Sequence, residues 1–490
     1  MDTEALTPIH LDKVMDGLAI NSALPAPMIR RLFAWRRGQG KAARRPDLTD
    51  AMVTEIIAID DHWLLHSLAL NDRLPDRFRI RLAAHRDSAV RSALVVCAAS
   101  APREMLEQLI DDPDLRVREY LARGDHTPSD LRARLAADSD PGIRAALAKY
   151  WPQAPEAVRR ILLTDPEDEV RAAACSTYFA RRPHPIPPPD LLPALLADPV
   201  TRAGAVMHTV LDADTLQRLV EDPDSDVRAE LARHPDLPPS VREVLAVDPS
   251  LGVRVKIFAR QDTPEHARAQ IHASVHELSR SMEDPSLDAD DEAVLQWYEN
   301  SFATMELRTL RLPWVAADPL RHIDSPYVSF RVSAAASKAL PAHAVARLLD
   351  DEEEMVRLTM AHTAPHLVDP ATAESIERRY RRRDKFTFWW DKAQVLTFPP
   401  ASLRRFATDP EPRLRSFAPR DPDLPSELAE KLASDPDFRV RRAVAAHPNL
   451  SLPSLLRLLA DSSEHVAEAA GASPFLPVER MDWLLTRAGL

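Results

Sequence analysis

Apolar and polar positions along the chain repeat a short phrase whose spacing is typical of paired helices. The phrase reads Asp-Pro-x-x-x-Val-Arg, then an Ala- and Leu-rich turn, a proline, and Leu-x-x-Leu with a further Asp. Within one copy, Val440, Ala443 and Val444 have the i, i+3, i+4 spacing of one buried helix stripe. No segment alternates with period two over the length of a strand. The pattern therefore predicts an all-α protein.

A hydrophobic residue followed by arginine fixes the register of the phrase. Copies recur at intervals of roughly 26 residues, as Val117 and Ile143 do, and again Val227 and Val253. Helices this short are marginal alone, so their stability must come from stacking each repeat on its neighbours. We therefore expect an α-solenoid superhelix of about sixteen short two-helix repeats.

Each copy also carries signals that predict where its helices begin. An aspartate, usually followed by proline, stands five residues before the hydrophobic anchor, as at Asp112 and Asp435. Aspartate is a favoured N-cap and proline is favoured in the first helical turn, so the first helix is predicted to start there. Thr127 followed by Pro128 predicts the cap of a second helix.

Departures from the phrase divide the chain into five predicted segments. They are an irregular N-terminal cap with a basic loop over residues 1–60, regular repeats over 61–254, degenerate repeats with an acidic insertion over 255–329, regular repeats over 330–473 with a basic insertion near 377–385, and a C-terminal cap over 474–490. Terminal repeats need a different outer face because no neighbour covers them.

Composition narrows the class of protein. The 490 residues include 44 Pro and only 9 Gly, so turns are made mainly by proline ahead of helices. The net charge of −12 disfavours wholesale binding to a phosphate backbone. Cys97 and Cys175 are too few for a disulfide framework or a four-thiolate metal site. With no signal-peptide pattern and no apolar run of membrane-spanning length, we expect a cytoplasmic protein.

The best-preserved copy, from Val440-Arg441 through His447-Pro448 to Asp461, resembles the leucine-rich repeat variant family and, more distantly, HEAT repeats. The resemblance extends over roughly residues 60–480 and implies a helical superhelix, a bacterial source and no assigned chemistry. A founding type of the family carries an iron–sulfur cluster on a cysteine-rich N-terminal segment. This sequence lacks those cysteines, so we expect no cofactor.

The arginine after each anchor is the most conspicuous polar feature of the sequence. The row comprises Arg118, Arg144, Arg171, Arg228, Arg254, Arg331, Arg357, Arg415 and Arg441. Two interpretations are open: the arginines pair with the recurring aspartates and hold the stack together, or they line a groove for an anionic partner. The first is favoured because an aspartate recurs with the same period.

Two basic stretches next to aromatic residues do not follow the repeat. The candidate anion-binding residues are Arg36, Arg37, Arg381, Arg382 and Arg383, and the candidate aromatic groove is Trp389 with Trp390. Basic side chains interleaved with aromatics can bind nucleic acid by charge and stacking. A solvated helix face with buried aromatics gives the same pattern.

Signals for metal binding or catalysis are weak. His272 and His276 lie one helical turn apart, and His62 and His66 repeat that spacing, but the sequence fixes no third ligand, so we expect no metal. There is no phosphate-binding glycine loop and no nucleophile elbow. HEAT-like DNA glycosylases use tryptophans and an aspartate on a helical surface, which Trp389-Trp390-Asp391 matches in residue type only.

These observations favour a non-catalytic scaffold that binds protein partners on an extended helical surface. The alternative is a nucleic-acid-binding protein, in its enzymatic form a HEAT-like DNA glycosylase. The two hypotheses differ in what the arginine row does. Aspartate partners along the row favour the scaffold, and a continuous basic face favours nucleic acid.

Overall fold

A computed structural model describes residues 8–35, 40–96, 101–175, 184–281, 291–380 and 396–490. Every regular element in these ranges is helical, which confirms the predicted all-α fold class. The chain divides into two compact units. The first comprises Met1–Ala137 together with Phe398–Leu490, and the second comprises Asp138–Thr397.

Most helices are two to three turns long. The first unit begins with α1 (Leu11–Ile20), α2 (Ala26–Arg31), α3 (Asp50–Ile59), α4 (His62–Ala69), α5 (Asp76–Ala83), α6 (Ser88–Val96), α7 (Arg103–Leu109), α8 (Leu115–Arg123) and α9 (Ser129–Arg134). The second unit contains α10 (Pro141–Tyr150), α11 (Glu156–Leu163), α12 (Asp168–Cys175), α13 (Leu192–Ala197), α14 (Arg202–Val206), α15 (Ala213–Val220), α16 (Ser225–Arg233), α17 (Pro239–Leu245), α18 (Leu251–Ala259), α19 (Glu265–Ser281), α20 (Asp291–Thr309), α21 (Pro313–Ala317), α22 (Val328–Ala335), α23 (Ala342–Leu349), α24 (Glu354–Thr363) and α25 (Pro370–Arg379). The first unit resumes with α26 (Pro400–Phe406), α27 (Pro412–Arg415), α28 (Ser426–Leu432), α29 (Phe438–Val444), α30 (Leu452–Leu459), α31 (Glu464–Gly471) and α32 (Val478–Arg487).

The helices alternate between two positions in a stack. In the first unit α4 packs on α6 and α6 on α8, and in the second α10 packs on α12, α16 on α18, and α22 on α24. The hydrophobic anchors point into this stack: Val90, Val117, Val170, Val253 and Val440 are fully buried. Each repeat therefore buries its core against its neighbours, as the sequence predicted.

The predicted helix starts are wrong by a short distance. Asp437 is the N-cap of α29, while Asp435 stands two residues earlier and accepts a hydrogen bond from the backbone N–H of Asp437. The carboxylate of the earlier aspartate also binds an arginine, as described below. Thr127 does not cap α9 either: its hydroxyl donates to the carbonyl oxygen of Leu121 at 2.9 Å, and Pro128 is the N-cap.

The two ends of the described chain pack together within the first unit. α1 lies against α31, and α2 lies against α32. Val14, Met15 and Leu18 of α1 are completely buried, and the guanidinium of Arg31 donates to the carbonyl oxygen of Leu490 at 2.8 Å. The boundaries predicted for the terminal caps stay predictions, but these terminal helices bury apolar surface against each other.

This contact has the geometry of an internal repeat junction. The side-chain amide of Asn21, which follows α1, donates to the carbonyl oxygens of Gly471 and Ser473 at 3.0 and 2.7 Å. Asn71, in the corresponding turn after α4, donates to two carbonyl oxygens of the preceding repeat at 3.0 and 2.9 Å. α1 therefore stacks on α31 as one repeat stacks on the next.

Two longer helices interrupt the pattern in the second unit. α19 has 17 residues and α20 has 19, against ten or fewer in the other described helices. α20 packs on α18, α19 and α22, so it occupies the position of a first helix. Ala303 and Leu307, in its C-terminal half, are buried in the core.

Candidate functional site

The arginine row crosses from each repeat to the next. Nε and Nη2 of Arg144 donate to the two carboxylate oxygens of Asp165 at 2.7 and 2.9 Å, and Nη1 donates to the carbonyl oxygen of Asp138 at 2.8 Å. The planar guanidinium and the carboxylate thus form two parallel hydrogen bonds, and we call this arrangement a fork. The same two-pronged pairing joins Arg228 to Asp248, Arg331 to Asp351, Arg415 to Asp435, and Arg441 to Asp461.

Arg171, Arg254 and Arg357 of the row are placed similarly, with other contacts in place of the two-pronged pairing. Arg171 binds Asp198 through Nε at 2.9 Å. Arg254 reaches the hydroxyl of Ser274 at 3.3 Å, where other repeats have an aspartate. Arg118, Arg254 and Arg357 each donate to the backbone carbonyl six residues earlier, at 2.6, 2.5 and 2.7 Å. Members of the row thus bind the backbone of their own repeat, as Arg254 does where a serine takes the place of the inter-repeat aspartate.

The forks are largely withdrawn from water. The side chains of Arg331 and Asp351 are 6% and 0% exposed. The hydrogen bond from Arg144 lowers the pKa of Asp165 below its usual value, and the same bond raises the pKa of Arg144. This geometry favours a structural role for the row, which stays a prediction until variants are measured.

Two further arginines form the same inter-repeat contact. Arg91 forks to Asp112 at 2.6 and 2.8 Å, one repeat before the first member of the predicted row. Arg202 binds Asp222 at 2.7 Å but follows Thr201 instead of a hydrophobic anchor, so the phrase does not include it. Both arginines stand about 20 residues before one of the recurring aspartates, and this spacing is the sequence signal that identifies them.

A second set of buried arginines lies on the second helices and was not predicted. Nε and Nη2 of Arg132 donate to the carbonyl oxygen of Ala122 at 2.9 and 2.6 Å, near the end of α8. Burial lowers the pKa of Arg132 to about 10. The sequence carries a usable signal for this set, namely a proline four residues before the arginine. It recurs as Pro75 with Arg79, Pro128 with Arg132, and Pro264 with Arg268.

The predicted anion-binding and aromatic residues lie outside the described residues. They are Arg36, Arg37, Arg381, Arg382, Arg383, Trp389 and Trp390. Basic residues that flank these stretches in the described part are paired. Arg30 lies 3.5 Å from the carboxylate of Glu55, and Arg379 donates to Asp350 at 2.7 Å. The predictions about the two stretches therefore stay predictions.

The two histidine pairs differ in geometry. Nε2 of His272 lies 3.0 Å from Nε2 of His276, and burial, followed by the charge of His276, lowers the pKa of His272 to about 4. His62 and His66 stack with ring centroids 6.3 Å apart, and His62 binds Asp87 instead. Among the described residues, no group of three or more His, Cys, Asp or Glu side chains is arranged to hold a metal ion.

A cavity of about 460 Å³ in the second unit is lined by several titratable side chains. Trp151, Cys175, His184 and Glu230 are among the residues around it. Burial raises the pKa of the Cys175 thiol to about 12 and lowers that of His184 to about 4. At neutral pH the thiol is protonated and the imidazole uncharged, so neither is poised as a nucleophile or a charged ligand.

A row of exposed apolar side chains runs along α20. Leu295, Tyr298, Phe302 and Met305 are 63%, 51%, 60% and 39% exposed. Residues three and four apart lie on one face of a helix, so these four form a single stripe about 15 Å long at 1.5 Å per residue. Singly exposed apolar residues are ordinary, whereas contiguous apolar rows are more frequent at interaction surfaces than elsewhere. We call these four residues the α20 stripe.

Acidic groups lie beside the α20 stripe. Glu299 is on α20 itself, between Tyr298 and Phe302 in sequence, and its charge reaches Asp226 of α16. The pKa of Asp226 is raised, first by partial withdrawal from water and then by the negative charges of Asp224, Glu230 and Glu299. The surface next to the stripe is therefore electronegative.

Comparisons with known proteins agree with the repeat. The family model described as "Leucine rich repeat variant" matches residues 438–463, which confirms the resemblance predicted from this copy. No curated protein matches the chain. Within the described residues, no helix combines the length and apolarity needed to cross a bilayer.

Two solved structures are similar to the chain at low identity. The crystal structure of Kap121p bound to RanGTP matches 95% of this chain with 13% sequence identity and a TM-score of 0.23. The match spans 55% of the Kap121p chain, so this chain corresponds to about half its length. An engineered protein is 14% identical over 96% of this chain and 99% of its own, with a TM-score of 0.14. The repeated helical packing of the chain itself carries the assignment of the fold.

Proposed function

We propose that the protein is a non-catalytic scaffold that binds other proteins on its helical repeats. The observation that carries this proposal is the α20 stripe, four apolar side chains exposed in one row on a stacked helix. Contiguous exposed apolar rows are characteristic of surfaces that bind a partner. A bacterial, cytoplasmic setting is part of the proposal, since the resemblance and the two cysteines favour it.

The arginine row supports the scaffold over nucleic acid as the partner. A groove for a phosphate backbone needs arginines whose donors face solvent. Two donors on an aspartate carboxylate and a third on a backbone carbonyl are found for Arg144, Arg228, Arg331, Arg415 and Arg441. The guanidinium donors of these arginines are therefore used in contacts within and between repeats.

Capture from an extract of the native host tests the proposal. The wild-type protein, immobilised, is expected to retain a partner protein after the extract is treated with nuclease. A variant with Leu295→Gln and Phe302→Gln is expected to lose that partner, because it removes the two most exposed side chains of the stripe. The matched control is Leu320→Gln, at an exposed leucine of the same unit outside the stripe. Capture that nuclease abolishes, or that the double variant leaves intact, contradicts the proposal.

A further inference from the structure

The α20 stripe has the spacing that a second helix recognises. Its residues follow one another at intervals of three, four and three positions, which is the apolar pattern of a helix that packs along another helix. The buried residues Ala303 and Leu307 anchor the opposite side of α20 in the core. The stripe therefore lies on a helix whose other side is fixed in the core. It is long enough to contact about three turns of a partner helix.

Cations close to the stripe are already paired. The ammonium of Lys256 binds the carboxylate of Glu306, and Arg308 donates to Glu353 at 3.3 Å. Glu299 sits between two stripe residues. A helix lying on the stripe therefore meets a surplus of negative charge along its flank.

The charge beside the stripe bears on which partners can bind there. A second copy of this chain would bring the same Glu299 to the contact, so like charges would oppose self-association there. An anionic lipid surface is disfavoured for the same reason.

We propose that the α20 stripe docks an amphipathic helix of a partner protein whose apolar residues are flanked by lysine and arginine. The apolar contact supplies the binding energy, and the acidic flank selects for the basic partner and speeds its association. The proposal rests on the proposed scaffold function, because it names the chemistry of the partner that the same surface takes.

Two synthetic peptides of about 18 residues, long enough for stable helix formation on binding, serve as probes. Both carry leucines at helical spacing, and the remaining positions are lysine in one peptide and glutamate in the other. Fluorescence anisotropy of the labelled peptides is measured against the full chain. We expect saturable binding of the lysine peptide and at least ~10-fold weaker binding of the glutamate peptide.

Variants then locate the binding. The variant with Leu295→Gln and Phe302→Gln is expected to bind the lysine peptide at least ~10-fold more weakly, whereas Leu320→Gln stays within about twofold of wild type. All three substitutions are at exposed leucine or phenylalanine positions, so circular dichroism melting curves should coincide with that of the wild type. Neutral glutamine leaves the net charge unchanged, so any loss reports the apolar contact.

Several results overturn the inference. They are no binding of the lysine peptide, equal binding of both peptides, equal loss in the control variant, or binding to anionic phospholipid vesicles that depends on the stripe. If a protein is captured from extract through the stripe but the lysine peptide is not preferred, the scaffold function stands and the basic partner does not. If nothing is captured, the scaffold function itself fails.

Discussion

Replacing Gly471 with alanine is expected to separate the two ends of the chain within the first unit. A Cβ atom at Gly471 would lie 2.4 Å from the carbonyl oxygen of Val14, and one at Gly17 would lie 2.0 Å from the carbonyl oxygen of Glu468. Both oxygens belong to helix backbones, so no side-chain rotation relieves the clash. α1 and α31 must move apart, which exposes apolar residues such as Met15.

Hydrogen–deuterium exchange measures this separation directly. Protection should fall in residues 11–31 and 464–487 together, with a loss of about 4 kcal/mol or more, the range of a severe core clash. Gly252→Ala is the matched control, since a Cβ there meets only the hydroxyl of Ser250 at 3.4 Å. That variant should be as stable as wild type or up to ~1 kcal/mol more stable. Unchanged exchange at both ends in Gly471→Ala would show that the ends do not stack.

Removing the guanidinium of Arg331 is expected to give the largest loss among the forks. Its partner Asp351 is fully buried, so Arg331→Gln leaves a carboxylate in the interior without its two-pronged donor. Breaking a buried ion pair on one side typically costs about 3–5 kcal/mol. The neighbouring Arg347, 3.6 Å from Asp351, compensates only in part.

Urea unfolding followed by circular dichroism gives the size of this effect. Arg321→Gln is the control, because Arg321 and its partner Asp318 are 80% and 58% exposed and such a pair contributes at most ~1 kcal/mol. A double variant, Arg331→Met with Asp351→Leu, should recover most of the loss, since it removes the unpaired charge as well. Equal midpoints for Arg331→Gln and Arg321→Gln would mean that the fork does not stabilise the stack.

The sequence predicted the helical class, the repeat and the arginine row because each depends on residues close together in the chain. The anchor pattern reports helix spacing directly, and Arg144 and Asp165 belong to adjacent repeats. The helix starts were misplaced by two residues because aspartate suits both positions. Asp435 accepts hydrogen bonds from Arg415, whereas Asp437 caps the helix. The sequence alone therefore does not distinguish an N-cap aspartate from an ion-pair partner.

The stacking of the two ends and the α20 stripe were not predicted, for different reasons. α1 and α31 are separated by over 400 residues, and their contact depends on Gly17 and Gly471, whose spacing carries no local signal. The stripe has the spacing of a core face. Only the packing of α20 shows that Ala303 faces inward while Phe302 remains exposed.

We predict that the regular arginines hold the repeats together, and the melting temperature of Arg144→Gln as a function of pH tests this most directly. At pH 7 the variant should melt several degrees below wild type, because Asp165 loses its fork. The fork lowers the folded-state pKa of Asp165 below its ordinary 3.8, so its contribution is complete above that value and is lost as pH falls through the folded-state pKa. The two melting curves should therefore begin to converge only below pH 3.8 and should meet below the folded-state pKa of Asp165. A variant that melts with wild type at every pH would contradict the account and make the arginine row available for recognition.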